Sequence, residues 1–382
     1  QDRLKEKDVP PEVCSLDFVR DILATVPTSV NVRSYATIVH EKAVLRRLIR
    51  INEEIANNCY AGKDSLETIL ADTEKQIFNL LESRASGDFV PIRQVALNVL
   101  DKIEQATRSK STVTGLPTGF IDLDYRMSGL QPSDLILIAA RPSMGKTAFV
   151  LNITDYIAVR RQKTCLIFSL EMSKEQLVNR MLSMESNVDS QKLRTGTLTD
   201  ADWDAVVEGI GTIGSSKLVI DDTPGISIME LRSKCRKYKL EHNLGIVIID
   251  YLQLMNSAKR IDNRVQEISE ITRSLKIMAK ELNIPVVTLA QLARAGEKRQ
   301  EHRPVLSDLR DSGSIEKDAD IVLFLYRDAY YANEKASPED VDKNKAEVIV
   351  AKNRHGDLRS VPLHWQGEFM RFTSQEVVRH ES

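Results

Sequence analysis

The sequence predicts an α/β fold built on a mostly parallel sheet, preceded by an all-α N-terminal domain and a linker helix. Three observations carry this. Between residues 135 and 325, short continuous apolar runs alternate with amphipathic helical segments. Strands that are apolar on both faces and separated by helices belong to a parallel sheet covered on both sides. Residues 1–85 show helical periodicity with no strand-like alternation, and composition changes after the turn residues Gly115, Pro117 and Gly119.

Taken in order, residues 35–56 place Ile38, Leu45, Leu48, Ile51 and Ile55 on one apolar stripe beside Arg46, Arg47, Arg50 and Glu54. A polar turn at 57–63 and a second stripe from Leu66 to Leu81 make an antiparallel helical hairpin. The hairpin reads equally as a small helical core and as a surface for self-association or partner docking. The chain opens at Gln1 without an initiator Met, so this domain, residues 1–85, is expected to be incomplete. Ser86-Gly87-Asp88 breaks the pattern, and Pro91 suits the first position of a helix. The stripe Ile92, Val95, Ala96, Val99, Leu100 and Ile103 then predicts a linker helix within 86–112.

The α/β domain spans 113–382. Its predicted strands lie at 135–138, 165–168, 218–220, 246–249, 285–289 and 321–325. Between 346 and 372, strand-like pieces follow one another without helices, which predicts antiparallel hairpins extending the sheet.

Bulk properties narrow the function classes. The chain has 382 residues, 42% hydrophobic and 28% charged, with no apolar run near the ~20 residues a membrane helix needs. Net charge is −2, which argues neither for nor against a polyanionic partner. Cys14, Cys59, Cys165 and Cys235 show no CxxC spacing, and no basic leader with an apolar stretch opens the chain. A reducing, cytoplasmic compartment without membrane attachment is expected.

The chemistry-bearing motif runs from Ala140 through Arg141, Pro142, Ser143, Met144, Gly145, Lys146 and Thr147 to Ala148, between a predicted strand and a predicted helix. A phosphate-binding loop needs that context. Backbone N–H groups and the helix N-terminus face the phosphates, Lys146 neutralises charge, and the Thr147 hydroxyl can ligate Mg²⁺. The usual first glycine is Ala140 here, and the short match alone also fits a plain helix start with a surface lysine. The strand at 246–249 ends in Asp250, the acid that supports Mg²⁺ in such sites, although strand-ending Asp also occurs as a cap. The strand at 165–168 leads to Glu171, readable also as a first-turn helix carboxylate.

Together, residues 140–149, 169–173, 250–253, 290–292, 306–320 and 352–354 resemble, in order, the motifs of bacterial replicative DNA helicases, the DnaB family with its RecA-like P-loop motor. The resemblance covers essentially the whole chain. It implies ATP as the nucleotide with Mg²⁺, Glu171 polarising the attacking water, and Gln291 sensing the γ-phosphate. It places Lys352 and Arg354 on the neighbouring subunit's nucleotide, where the residues alone read as an exposed basic turn. Arg310, Asp311 and Gly313 are implied to contact the phosphates of single-stranded DNA, against a reading as a polar turn capping the next helix. The family more often has Glu where Asp311 stands.

The function implied is an ATP-dependent replicative helicase, a hexameric ring moving on single-stranded DNA, with primase and a helicase loader as partners. Two rivals remain at this level. One is a RecA-like DNA-binding ATPase that does not unwind; the other is a P-loop kinase acting on a small metabolite.

Overall fold

The computed structural model describes residues 32–62, 91–109, 112–256, 263–292, 302–312, 315–331 and 342–375, with isolated positions between 17 and 77. The chain divides into two compact units, residues 1–103 and 104–382. Of the second stripe of the expected helical hairpin, Ile69 and Ile77 are described, both helical; the rest of it, the break at 86–88 and Cys14 lie outside the described residues.

In the first unit, helix α1 spans Val32–Ala61. It continues five residues through the expected turn and ends where Gly62 adopts a positive φ of 57°, the usual way a helix terminates on a residue without Cβ. The covered line runs through Val44, Leu48, Ile51 and Ile55, whereas Ile38 and Leu45 of the expected stripe stay exposed. Helix α2, Ile92–Ser109, follows Pro91 as expected, and its apolar stripe of Val95, Val99, Leu100 and Ile103 is exposed.

The second unit is organised by one nine-stranded sheet. After the short helix α3 (Ile121–Met127) come β1 (Leu135–Ala140), α4 (Lys146–Asp155), β2 (Cys165–Ser169), α5 (Lys174–Ser186), α6 (Ser190–Thr195), α7 (Asp200–Gly214) and β3 (Leu218–Asp221). Then follow α8 (Ile228–His242), β4 (Ile246–Asp250), α9 (Arg264–Leu282), β5 (Val286–Gln291), α10 (Ile315–Asp318), β6 (Ile321–Tyr326), β7 (Lys345–Asn353), β8 (Ser360–Gln366) and β9 (Arg371–Ser374).

The order is β3-β2-β4-β5-β1-β6-β7-β8-β9, parallel through β6 and antiparallel from there to β9. All six expected parallel strands are present, as is the antiparallel extension.

Each central strand is buried on both faces, and successive residues point to opposite sides. Ile136, Ile138, Ile167, Ile248 and Leu323 join Phe149 and Leu151 of α4 in one layer. Leu137, Phe168, Val247 and Phe324 meet Ile271, Leu275 and Met278 of α9 in the other. This sandwiching makes continuous apolar runs stable as strands. It also holds the strands in register, so that the residues at their carboxyl ends lie side by side.

Candidate nucleotide site

The ends of four neighbouring strands, β2, β4, β5 and β1, build the site. Ser169 lies opposite Asp250, and Ala140 opposite Gln291. Crevices outside the carboxyl ends of parallel strands are where such sheets bind ligands. Ala140 is the last residue of β1, extended and 1% exposed, so the position usually held by glycine demands no special backbone here. The loop after it turns through Ser143 and Gly145, with φ of 65° and 92°. Gly145 caps α4, whose first residues are Lys146 and Thr147, so unpaired N–H groups and the positive end of the helix dipole open onto the loop.

A cavity of about 460 Å³ follows, lined by the loop from Ala140 to Ala148 apart from Met144, and by Glu171, Met172, Arg180, Gln291, Trp365 and Met370. Met144 instead points into the core, 1% exposed. Lys146 lies 3.7 Å from Asp250, a Coulomb contact rather than a hydrogen bond, and 4.4 Å from the centre of the Tyr251 ring. Burial pulls the Lys146 ammonium below the usual lysine value, opposed by Asp250 and then Glu171. Burial likewise lowers Arg180, against the same two carboxylates. Two cations held in a partly desolvated pocket beside two acids favour a polyanion that supplies the missing negative charge.

The donor set for a hard divalent cation is in place. Thr147 Oγ1 donates to Asp250 Oδ2 at 2.7 Å, and the buried Asp250 Oδ1 has no hydrogen-bond donor. One hydroxyl and one carboxylate, with room for water and phosphate oxygens, suit Mg²⁺, which keeps several waters and takes few protein ligands. Among the described residues no cluster of three or more His, Cys, Asp or Glu forms an all-protein cage.

Glu171 is exposed on the loop between β2 and α5, whose N-cap is Ser173, so the first-turn helix reading is excluded. Gln291, at the end of β5, is exposed toward the cavity and braced by Gln253, whose amide donates to its carbonyl at 3.3 Å. Arg141 donates to the Leu292 carbonyl at 3.0 Å, tying the loop to β5. Arg180 was not singled out from the sequence. It is the polar residue on the flank of α5 next to the buried Leu177 and Met181, and helical phase is the signal that points to it.

Lys352 and Arg354 are absent from this cavity. The residues alone read as an exposed basic turn, but β7 runs on through Lys352 and Asn353 in antiparallel pairing with β6. Asn353 lies opposite Ile321, the first residue of β6, so the pair sits at the amino edge of the parallel sheet. That edge is roughly 20 Å from the phosphate loop, the length of a six-residue strand at about 3.3 Å per residue.

At the amino edge the pair caps the carbonyls around α10. Lys352 Nζ donates to the oxygens of Glu316 (2.5 Å) and Ala319 (2.7 Å), and Arg354 to that of Lys317 (2.9 Å). Arg354 also lies 3.3 Å from the buried Asp320 carboxylate, while remaining 49% exposed.

The segment Leu306–Ser312 is a 3₁₀ turn leading toward α10. Arg310 and Asp311 lie on it without described side chains, and Gly313 lies outside the described residues.

The comparisons with known proteins agree with this geometry. The family described as the DnaB-like helicase C-terminal domain matches residues 115–374. The chain is 46% identical to the replicative DNA helicase DnaC of Bacillus subtilis (strain 168) over 98% of its own length and 81% of that protein's. It is 45% identical to the replicative DNA helicase DnaB of Geobacillus stearothermophilus, over 96% and 80%. Among solved structures it superposes on a separately solved ATPase domain with a TM-score of 0.71 and 40% identity, covering 76% of this chain and all of that one. It also superposes on a DnaB-like replicative helicase, described with its interactions with primase, with a TM-score of 0.77 and 34% identity over 96% and 84%. A RecA-like P-loop motor with these relatives is a helicase motor, and the chain belongs to the DnaB-like replicative DNA helicases.

Proposed function

We propose that copies of this chain assemble into a hexameric ring that hydrolyses ATP at subunit interfaces and moves along single-stranded DNA, unwinding duplex at the replication fork. The observation that carries the reading is the separation of two half-sites. The phosphate cavity opens at the carboxyl edge of the sheet, whereas Lys352 and Arg354 stand at the amino edge. No chain can bring its own Arg354 to its own loop without dismantling β7. An adjacent subunit can.

Within one cavity, the loop N–H groups and Lys146 hold the β- and γ-phosphates, with Arg141, Pro142, Ser143 and Ala148 shaping the cradle. Thr147 and Asp250 would hold Mg²⁺, which would supply neutralising charge on the phosphate oxygens. Glu171 orients and polarises the attacking water, and Gln291 reads the γ-phosphate from the neighbouring strand end. Arg180 adds positive charge on the far wall. Lys352 and Arg354 from the next subunit stabilise charge developing in transfer, an effect typically worth ~10³–10⁵ in rate.

Arg310, Asp311 and Gly313 contact DNA phosphates, which makes binding indifferent to sequence and salt-sensitive. The exposed stripe of α2 packs on an adjacent motor, and primase and a loader complete the assembly. The free thiols of Cys59, Cys165 and Cys235 fit a reducing cytoplasm, and no helix among the described residues is long and apolar enough to cross a membrane.

Strand displacement on forked DNA, with ATPase measured with and without a dT oligomer, tests the reading. ATP-dependent displacement and DNA-stimulated turnover are expected. Turnover indifferent to DNA, with no displacement, would overturn it.

A further inference from the structure

Asp320 directly precedes β6 and is buried, 3% exposed, at the amino edge of the sheet. A carboxylate in that position needs partners, and both of its oxygens have them. Oδ2 accepts from the Leu135 N–H at 2.8 Å and from Lys276 of α9, whose ammonium also donates to the Ser133 carbonyl at 2.7 Å. Oδ1 faces the Arg354 guanidinium at 3.3 Å. The main chain repeats the tie. The Arg354 N–H donates to the Asp320 carbonyl at 3.1 Å, and the Asp320 N–H to that of Leu135 at 2.9 Å. The next residue, His355, places Nε2 3.2 Å from Oδ1 of Asp134, the residue before β1. Asp320 is thus a rigid anion, fixed to β1 and α9, against which the end of β7 rests.

Arg354 is gripped on one side. Nη1 meets Asp320, and Nη2 donates to the Lys317 carbonyl at 2.9 Å. A guanidinium carries five N–H groups, so two such contacts do not exhaust it, and the side chain stays 49% exposed. A free arginine would lose its rotamer freedom each time it met a phosphate, whereas one clamped to a buried anion has lost it on folding. Lys276 completes the arrangement. It keeps Asp320 paired when Arg354 turns its charge toward another anion, so the carboxylate is not stranded.

We propose that Asp320 is the positioning residue for the arginine that serves the neighbouring subunit's nucleotide. It touches no substrate; it holds Arg354 so that the outward N–H groups meet the transferring phosphoryl group. The assignment rests on reading Lys352 and Arg354 as acting in trans.

The test uses the full chain with Asp320→Asn, which keeps an oxygen for the Leu135 N–H and removes the charge. Turnover is expected to fall about 10–100-fold, with the dissociation constant for Mg²⁺ and ATP within about twofold. On an Arg354→Ala background the same change should cost no more than about twofold further, and losses that multiply would overturn the inference. Because β1 also leads to the chain's own phosphate loop, Asp320→Asn is then co-expressed with Lys146→Ala, which keeps Asp320 and Arg354. Mixed assemblies place intact loops beside intact arginines, and turnover above the sum of the two separate proteins is expected.

Absence of that recovery, while Arg354→Ala co-expressed with Lys146→Ala does recover, would put the defect in the chain's own centre and overturn the inference. If Arg354→Ala fails to recover as well, the reading in trans falls and the inference with it. Where Asp320→Asn does not fold, Lys276→Gln, which loosens the carboxylate and keeps a donor for Ser133, takes its place and is judged by the same outcomes.

Discussion

Gly145→Ala probes the phosphate loop at the point where backbone and core meet. Gly145 has φ of 92°, in the left-handed half of the map, where a residue with Cβ costs about 1–2 kcal/mol. The new Cβ would also lie 3.1 Å and 3.2 Å from Cζ and Cε2 of Phe372. That ring cannot swing away easily. It is 3% exposed, and it is wedged between Trp365 at 4.4 Å and the edge-on Phe149 at 5.7 Å.

Overpacking a tight core costs about 1–3 kcal/mol, and the stiffer unfolded chain returns about 0.4–1 kcal/mol. The net expectation is destabilisation of about 2–4 kcal/mol, or a melting-point drop on the order of 5–10 °C for a domain of this size. If the loop yields instead of Phe372, its N–H groups leave their phosphate-facing positions, and the stabilisation conferred by saturating ATP, about 2.7 kcal/mol at a hundredfold excess over Kd, shrinks. Thermal unfolding with and without Mg²⁺ and ATP reads both outcomes. A variant within about 0.5 kcal/mol of the parent that keeps its full ATP-induced shift would show that neither the left-handed backbone nor the Phe372 contact constrains this loop.

Other perturbations test other parts of the reading. Arg354→Ala is expected to lower turnover by about 10³-fold or more with nucleotide affinity nearly intact; strong ATPase activity in an assembled variant would refute the role in trans. Thr147→Val removes the hydroxyl beside Asp250, and the Mg²⁺ concentration needed for half-maximal ATPase should rise about tenfold or more; an unaltered Mg²⁺ requirement would contradict the donor set. Arg310→Ala should weaken single-stranded DNA uniformly across sequences and reduce the slope of log affinity against log salt by about 0.7; an unchanged slope would remove it from the phosphate contacts.

Asp155, at the end of α4, is pushed up to about 8 from 3.8 by burial and then by Glu185, with Arg160 opposing. The folded state therefore holds a proton that the unfolded state releases between about pH 4 and pH 8, so stability should fall as pH rises through that window. Asp155→Asn should gain about 1–3 kcal/mol at pH 9 and much less at pH 5; equal urea midpoint shifts at the two pH values would exclude this origin.

The parallel strands were legible because each is sealed on both faces, so β-branched and apolar residues run without interruption, as in 246–249. Lys146 and Thr147 were readable as a motif between a strand and a helix, and Asp250 as an acid ending an apolar run, whereas the roles of Glu171 and Gln291 came from the family resemblance and not from any local pattern. Arg180 and Trp365 were not legible. They reach the cavity from α5 and from the antiparallel extension, and no local pattern announces which turn of a helix or which hairpin returns to the loop.

Placing Lys352 inside β7 required its pairing with Val322 beside a register shift, a tertiary fact. The π-helical turn Tyr156–Arg160 that follows α4 likewise has no signature in its residues.

The position of Lys352 and Arg354 at the far edge of the sheet also has an arithmetic consequence. If every competent centre joins the loop of one copy to the basic pair of the next, an open row of n copies contains n − 1 competent centres, with one unused loop and one unused basic pair at its ends. Closing the row adds the missing centre. Specific activity per copy would then climb with the length of an open row and reach its ceiling only on closure, so ATP turnover itself would report whether the protein has shut around its strand.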